Sequence, residues 1–193
     1  GTAIAGTGNT LNNTITGNTV AANGRNGVSV WEYPGTDENA KGNRISQNTI
    51  YANAGIGIAL GDDAMSSGSD NATPNGRISP PSIVEAEFGR GVATVRGSVN
   101  IRGKADLLTI ELYKQGSGPS HTCPGPIYIG TASPDAEGVW LFSTNGMLEA
   151  GDSVAALLID DVGNTSEFAA SQPVQAMDFF DQPVVTDLGS GNF

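Results

Sequence analysis

The chain has 193 residues, of which 38% are hydrophobic and only 6% aromatic, with 27 glycines. That composition allows a real core in one large domain or two small ones, and it favours short strands and tight turns over long helices. The net charge is −11, every Lys and Arg lies at or before Lys114, and ten carboxylates follow it, so the chain repels phosphate backbones and argues against nucleic acid as a partner.

No segment reaches the ~18 consecutive apolar residues of a membrane span, so membrane insertion is not expected. The lone cysteine, Cys123, rules out an internal disulfide framework. His121 stands two residues from it, and that pair supplies too few ligands for a zinc centre. Gly1 begins in the middle of a pattern, which reads as a fragment of a longer chain.

The opening sixty residues contain a repeat. "NTITGNTV" (Asn13–Val20) aligns with "NRISQNTI" (Asn43–Ile50), both spelling Asn-x-apolar-polar-polar-Asn-Thr-apolar. "AANGRNGVSV" (Ala21–Val30) then aligns with "YANAGIGI" (Tyr51–Ile58). Read this way, the offset is 30 residues at first and 28 later, with Gly24 and Arg25 as extra residues. A period of this size marks stacked arrays.

Each triplet predicts a very short strand with one side chain pointing inward, and each Gly, Asn or Thr after it predicts a sharp corner. Stacking then places Ile15 over Ile45, Val20 over Ile50, and Val28 and Val30 over Ile56 and Ile58. Ile45, Ile50, Ile56 and Ile58 are all expected to be buried. Asn13, Asn18 and Asn23 fall over Asn43, Asn48 and Asn53, in register for amide ladders. Tyr33–Gly42 interrupts the repeat and should protrude as a loop.

Residues 62–81 form an acidic Asn/Gly/Pro junction. After it the apolar period changes to two. Seven strands are predicted, at 82–88, 92–99, 107–113, 127–132, 139–144, 153–160 and 165–171, which suggests a β-sandwich. "GRG" and "DAEG" supply tight turns. Trp140 and Phe142 should face opposite to Leu141. Residues 172–193 read as a tail or linker.

The Asn-x-Ile, Asn-Thr-Ile and Gly-Ile-Gly-Ile triplets of residues 1–61 resemble the right-handed parallel β-helix, the pectin-lyase-like fold of secreted bacterial proteins. "DDVGNTSEFA" (Asp160–Ala169) resembles the last hairpin of bacterial Ig-like modules. Over about Asn9 to Ala170, the chain resembles the C-terminal region of large secreted β-helix-repeat proteins. The resemblance implies an all-β fold, the end of a right-handed parallel β-helix followed by a seven-stranded Ig-like β-sandwich over 82–171. It also implies a secreted or cell-surface setting.

Among candidate sites, Asp62, Asp63, Asp70 and Asn71 supply the oxygens that calcium prefers. Asp160, Asp161 and Asn164 form a second such group. The competing reading is that these acids cap turns. Trp31, Tyr33 and Tyr51 lie where aromatic rings can serve as platforms for polysaccharide, against the reading that they pack on the loop. No catalytic residue is assigned: a hydrolase needs two carboxylates facing the scissile bond, and Arg25 with Glu32 has no counterpart on the next repeat. The expected role is a non-catalytic structural, adhesive or glycan-contacting module. The alternatives are the end of a polysaccharide lyase or glycoside hydrolase, and a self-assembling filament or surface-layer subunit. The expected partners are polysaccharide, a neighbouring surface protein, or further copies through free strand edges.

Overall fold

The computed structural model describes residues 2–4, 11–31, 40–61, 74–101, 103–115 and 126–177. Among them the protein is all-β, interrupted only by two short 3-10 turns, Pro74–Arg77 and Ala105–Leu107.

The apolar triplets of the repeat form three-residue strands: β1 (Thr2–Ile4), β2 (Thr14–Thr16), β3 (Thr19–Ala21), β4 (Val28–Val30), β5 (Arg44–Ser46), β6 (Thr49–Tyr51) and β7 (Ile58–Leu60). Pairing is parallel throughout: β2 with β5, β3 with β6, and β1, β4 and β7 in one row. Residues 11–31 thus form an upper layer and residues 40–61 a lower one. Ile15 pairs with Ile45 and Val20 with Ile50. The inward side chains Val20, Val28, Val30, Ile45, Ile50, Ile58 and Leu60 share one buried cluster.

The register corrects one expectation. The offset stays at 30 residues, with Val28 beside Ile58 and Val30 beside Leu60. Gly24 and Arg25 are not extra residues, because the Ala54 amide bonds the Asn23 carbonyl and the Gly55 amide bonds the Arg25 carbonyl. Ile56 therefore occupies the corner position of Asn26, and its amide donates to the Asn26 Oδ1. Ile56 is 53% exposed, where burial was expected, whereas Ile45 is 1% exposed.

The asparagine ladders form at all three expected places. Asn13 donates its Nδ2 to the Oδ1 of Asn43 at 2.9 Å, Asn18 to that of Asn48 at 3.2 Å and Asn23 to that of Asn53 at 2.7 Å. The backbone amide of each upper asparagine donates to the same oxygen.

The second part of the chain contributes β8 (Ser82–Gly89), β9 (Val92–Ser98), β10 (Thr109–Gln115), β11 (Ile127–Ala132), β12 (Val139–Asn145), β13 (Ser153–Ile159), β14 (Gln172–Pro173) and β15 (Gln175–Ala176). They make two four-stranded sheets, ordered β11-β10-β13-β14 and β12-β9-β8-β15. One apolar core joins both sheets, with Val95 and Trp140 from one and Ile110, Leu112, Ala156 and Leu158 from the other. Trp140 is 1% exposed and Leu141 59%, as the alternation predicts. Gly97 makes room for that indole: a Cβ there would lie 2.3 Å from the Trp140 ring.

The expected seventh strand, 165–171, is not formed. Only a single bridge joins Thr165 to Ile159. The Ser166 and Ala169 amides still bond the carbonyls of Leu158 and Ala156, but the side chains of Thr165 and Glu167 are drawn to the lower layer. The two sheets are completed instead by β14 and β15, from the stretch read as tail.

Candidate functional site

Strands β10 and β13 are buried on both faces. In a strand, successive side chains point to opposite sides. Ile110 and Leu112 enter the core between the two sheets. Tyr113, on the alternate face with Glu111, joins Leu157 and Ile159 of β13 in the cluster inside the stacked layers. One sheet therefore serves two cores, and its second face closes the lower layer.

That closure meets a specific need. The lower layer has backbone amides that in the upper layer are met by the layer beneath, and a buried amide without an acceptor costs about 1–3 kcal/mol. Side-chain oxygens of the second unit meet them one by one. The Gly42 amide donates to the Asn164 Oδ1 at 2.7 Å, and the Ile45 amide to the Thr165 Oγ1 at 2.9 Å. The Gln47 amide donates to the Glu111 Oε2 at 3.0 Å, and the Leu60 amide to the Glu167 Oε1 at 2.9 Å. Asn75 adds the last rung of the asparagine ladder. Its Oδ1 accepts from the Asn43 amide at 3.1 Å, and its Nδ2 donates to the Asn43 carbonyl at 2.7 Å. Asn75 holds φ at +48°, a left-handed conformation that asparagine tolerates well.

Glu111 is the centre of the joint. It is 1% exposed. Ser46 Oγ donates to its Oε1 at 2.5 Å, and the Tyr113 hydroxyl donates to its Oε2 at 2.5 Å. Its charge is held by hydrogen-bond donors, as a buried carboxylate requires. Tyr113 is itself enclosed edge-on by Tyr128 and Phe168, at ring centroid distances of 5.8 and 5.3 Å. Burial, reinforced by the charge of Glu111, pushes the Tyr113 hydroxyl well above its usual pKa. Tyr128 is raised for the same two reasons, burial first.

The sequence-predicted candidates fare unevenly. Asp62, Asp63, Asp70, Asn71, Tyr33 and Glu32 lie outside the described residues, as do His121 and Cys123. Asp160 accepts from the amides of Val162 and Asn164 and from the Asn164 Nδ2, all within its own turn. Asn164 spends its Oδ1 on Gly42, and Asp161 is exposed. Among the described residues, no group of three or more His, Cys, Asp or Glu side chains converges on one point. Trp31 is half-buried at the end of β4. Tyr51 is half-buried on a groove of about 260 Å³ shared with Gln115, Pro126 and Phe168.

The sequence reading passed over Asn75, Glu111, Tyr113, Thr165 and Glu167. A signal for Glu111 and Tyr113 existed. "TIELY" places an acid and a tyrosine on the face opposite Ile110 and Leu112, and a buried Glu beside a Tyr marks a second packed face.

No family model matches the chain, and no curated protein matches it. Among solved structures, a superoxide reductase (neelaredoxin) from Ignicoccus hospitalis is similar at 19% identity and a TM-score of 0.35, covering 53% of this chain and 83% of that one. The sensor domain of the anti-sigma factor RsgI4 from Pseudobacteroides cellulosolvens is similar at 14% identity and a TM-score of 0.32, covering 52% of this chain and 99% of that one. Neither likeness is close enough to carry a fold or functional argument. No helix among the described residues is long and apolar enough to cross a membrane.

Proposed function

We propose that this chain is the closing end of a right-handed parallel β-helix, sealed by an Ig-like β-sandwich, and that it serves as a non-catalytic structural module of a larger secreted or surface protein. The observation that carries this reading is the set of side-chain oxygens, from Asn75, Glu111, Asn164, Thr165 and Glu167, that accept from five amides of the lower layer. An unpaired strand edge is an aggregation hazard, and stacked-repeat proteins need a terminal cap for solubility. The second unit supplies that cap. Its acceptors explain why oxygen-bearing side chains, and not apolar ones, fill the contact.

The test is a pair of substitutions, Asn164→Ala with Thr165→Val. The expected result is a lower unfolding midpoint together with concentration-dependent self-association by sedimentation velocity. A double variant that stays monomeric with an unchanged midpoint overturns the reading. Glycan contact is a second reading, favoured by the groove beside Tyr51. It predicts that Tyr51→Ala abolishes retention of the protein on neutral polysaccharide in affinity electrophoresis, and no retention of the parent protein refutes it.

A further inference from the structure

The chain contains four Asn-Gly pairs: Asn23–Gly24, Asn26–Gly27, Asn75–Gly76 and Asn145–Gly146. Such a pair has an intrinsic reactivity. The glycine nitrogen, unhindered by a neighbouring side chain, can attack the side-chain carbonyl carbon of the asparagine and close a five-membered imide. All four asparagines have the same successor, so any difference between them is set by the fold.

Three of the four are tied down by the stacked layers. Asn75 is 0% exposed, its Oδ1 accepts from the Asn43 amide, and its Nδ2 donates to the carbonyls of Asn43 and Thr165. Asn26 is half-buried, and its Oδ1 accepts from the Ile56 amide at 3.0 Å. The Gly27 nitrogen, which would make the attack, donates to the Ile56 carbonyl at 3.0 Å. Gly27 is also enclosed, since a Cβ there would meet the Ile50 side chain at 2.5 Å and the Gly57 carbonyl oxygen at 2.6 Å. Asn23 is half-buried, with its Nδ2 bound to the Asn53 Oδ1 at 2.7 Å. A side chain held in this way cannot swing its carbonyl carbon over the next nitrogen without breaking those bonds.

Asn145 has no such restraint. It ends β12, an edge strand of its sheet, and both it and Gly146 are exposed. Its side chain makes no hydrogen bond among the described residues. Gly146 turns the chain at φ +75°, with nothing within 4 Å of where a Cβ would lie.

We propose that Asn145–Gly146 is a self-modification site, the one Asn-Gly pair that the fold leaves open to deamidation, with water as co-reactant. The Gly146 nitrogen gives up its proton to hydroxide and bonds to the Asn145 Cγ. The Cγ–Nδ2 bond breaks, and Nδ2 leaves as ammonia. Water then opens the imide at either carbonyl, giving aspartate or its β-linked isomer. The net change is the amide plus water to the acid plus ammonia. The end of β12 gains a negative charge, and the β-linked isomer lengthens the turn towards buried Leu148 by one main-chain carbon.

The experiment ages the full chain, folded and in urea, in mildly alkaline buffer, and maps its peptides by mass spectrometry. No Lys or Arg follows Lys114, so a glutamyl endopeptidase replaces trypsin, and cleavage after Glu137 and Glu149 isolates residues 138–149. In the folded chain Asn145 should convert at least about tenfold faster than each of the other three, the scale of one or two hydrogen bonds added to a barrier. In urea the four rates should converge. The 138–149 peptide should give two products of one mass that elute apart, aspartyl and isoaspartyl. A folded chain that converts Asn23, Asn26 or Asn75 as fast as Asn145 overturns the proposal, as does one that keeps Asn145 intact while the chain in urea loses it. The same order of rates in urea also overturns it, by placing the selection in the local sequence. A single aspartyl product excludes the attack by Gly146.

Discussion

The Tyr113 hydroxyl lies 2.5 Å from Glu111, its neighbour two residues back on the same strand, and both side chains point away from the core that β10 shares with the other sheet. The pair holds the joint through the Ser46 hydroxyl and the Gln47 amide, which also reaches the Tyr113 oxygen at 3.0 Å. Glu111→Ala leaves these donors buried without their acceptor. The expected cost is about 3–5 kcal/mol, read as a lower midpoint in urea. Glu111→Gln keeps one acceptor oxygen and should cost clearly less. Equal losses for both variants would show that the carboxylate packs without bonding.

Alkali should loosen the same joint. The folded-state pKa of Tyr113 is raised above the unfolded value of about 10. The neutral phenol is favoured in the fold, so its contribution is whole below about pH 10 and declines as pH rises through that value. Stability followed by denaturant titration between pH 8 and 11 should therefore fall at the upper end. Tyr113→Phe should lower stability at pH 8 and flatten the alkaline decline. A decline as steep in the variant assigns the effect to other groups, Tyr128 foremost.

The two isoleucines of the lower layer separate the true stack from the expected one. Ile50 is buried above the closing sheet and Ile56 is exposed at a corner. Ile50→Asp puts an unpaired charge in the interior and should abolish folding. Ile56→Asp should change stability by no more than about 0.5 kcal/mol. Circular dichroism melts of the two variants decide the matter, and similar melts for both would show that the layers are stacked in some other register.

Asn75 carries two roles that substitution can divide. Asn75→Gly keeps the left-handed backbone at no steric cost but removes the rung to Asn43. Asn75→Ala removes the rung and adds backbone strain. The expected losses are about 1–2 kcal/mol for glycine and about 1 kcal/mol more for alanine. A glycine variant as stable as the parent protein would mean that the ladder gains nothing from its last rung.

Much of this architecture is legible in the residues. The asparagine rungs follow from the repeat, and the sandwiching of Trp140 against exposed Leu141 follows from period-two alternation. The corner at Ile56 misleads because an apolar residue stands where the layer above has Asn26, and pattern matching prefers apolar over apolar. The joint is harder to see, because its partners lie far apart: Ser46 with Glu111 at a separation of 65, Gly42 with Asn164 at 122. A polar residue that will accept a distant amide looks, locally, like any solvated one. That is why "TSEFAAS" reads as a strand when the side-chain oxygens of Thr165 and Glu167 belong to another layer.

The separation of Gly42 from Asn164 also sets an order of events during synthesis. A chain made at about 5–20 residues per second presents Gly42 roughly 6–24 s before Asn164 exists. Throughout that interval the Gly42 and Ile45 amides lack their acceptors, while Asn75, Glu111 and the sheet strands up to β13 are being produced. The closing sheet is therefore largely assembled when its last acceptors arrive, and it seals the stack as a finished plug. A pause, or a truncation just short of Asn164, would leave a nascent protein whose main hazard is its own neighbour on the same message.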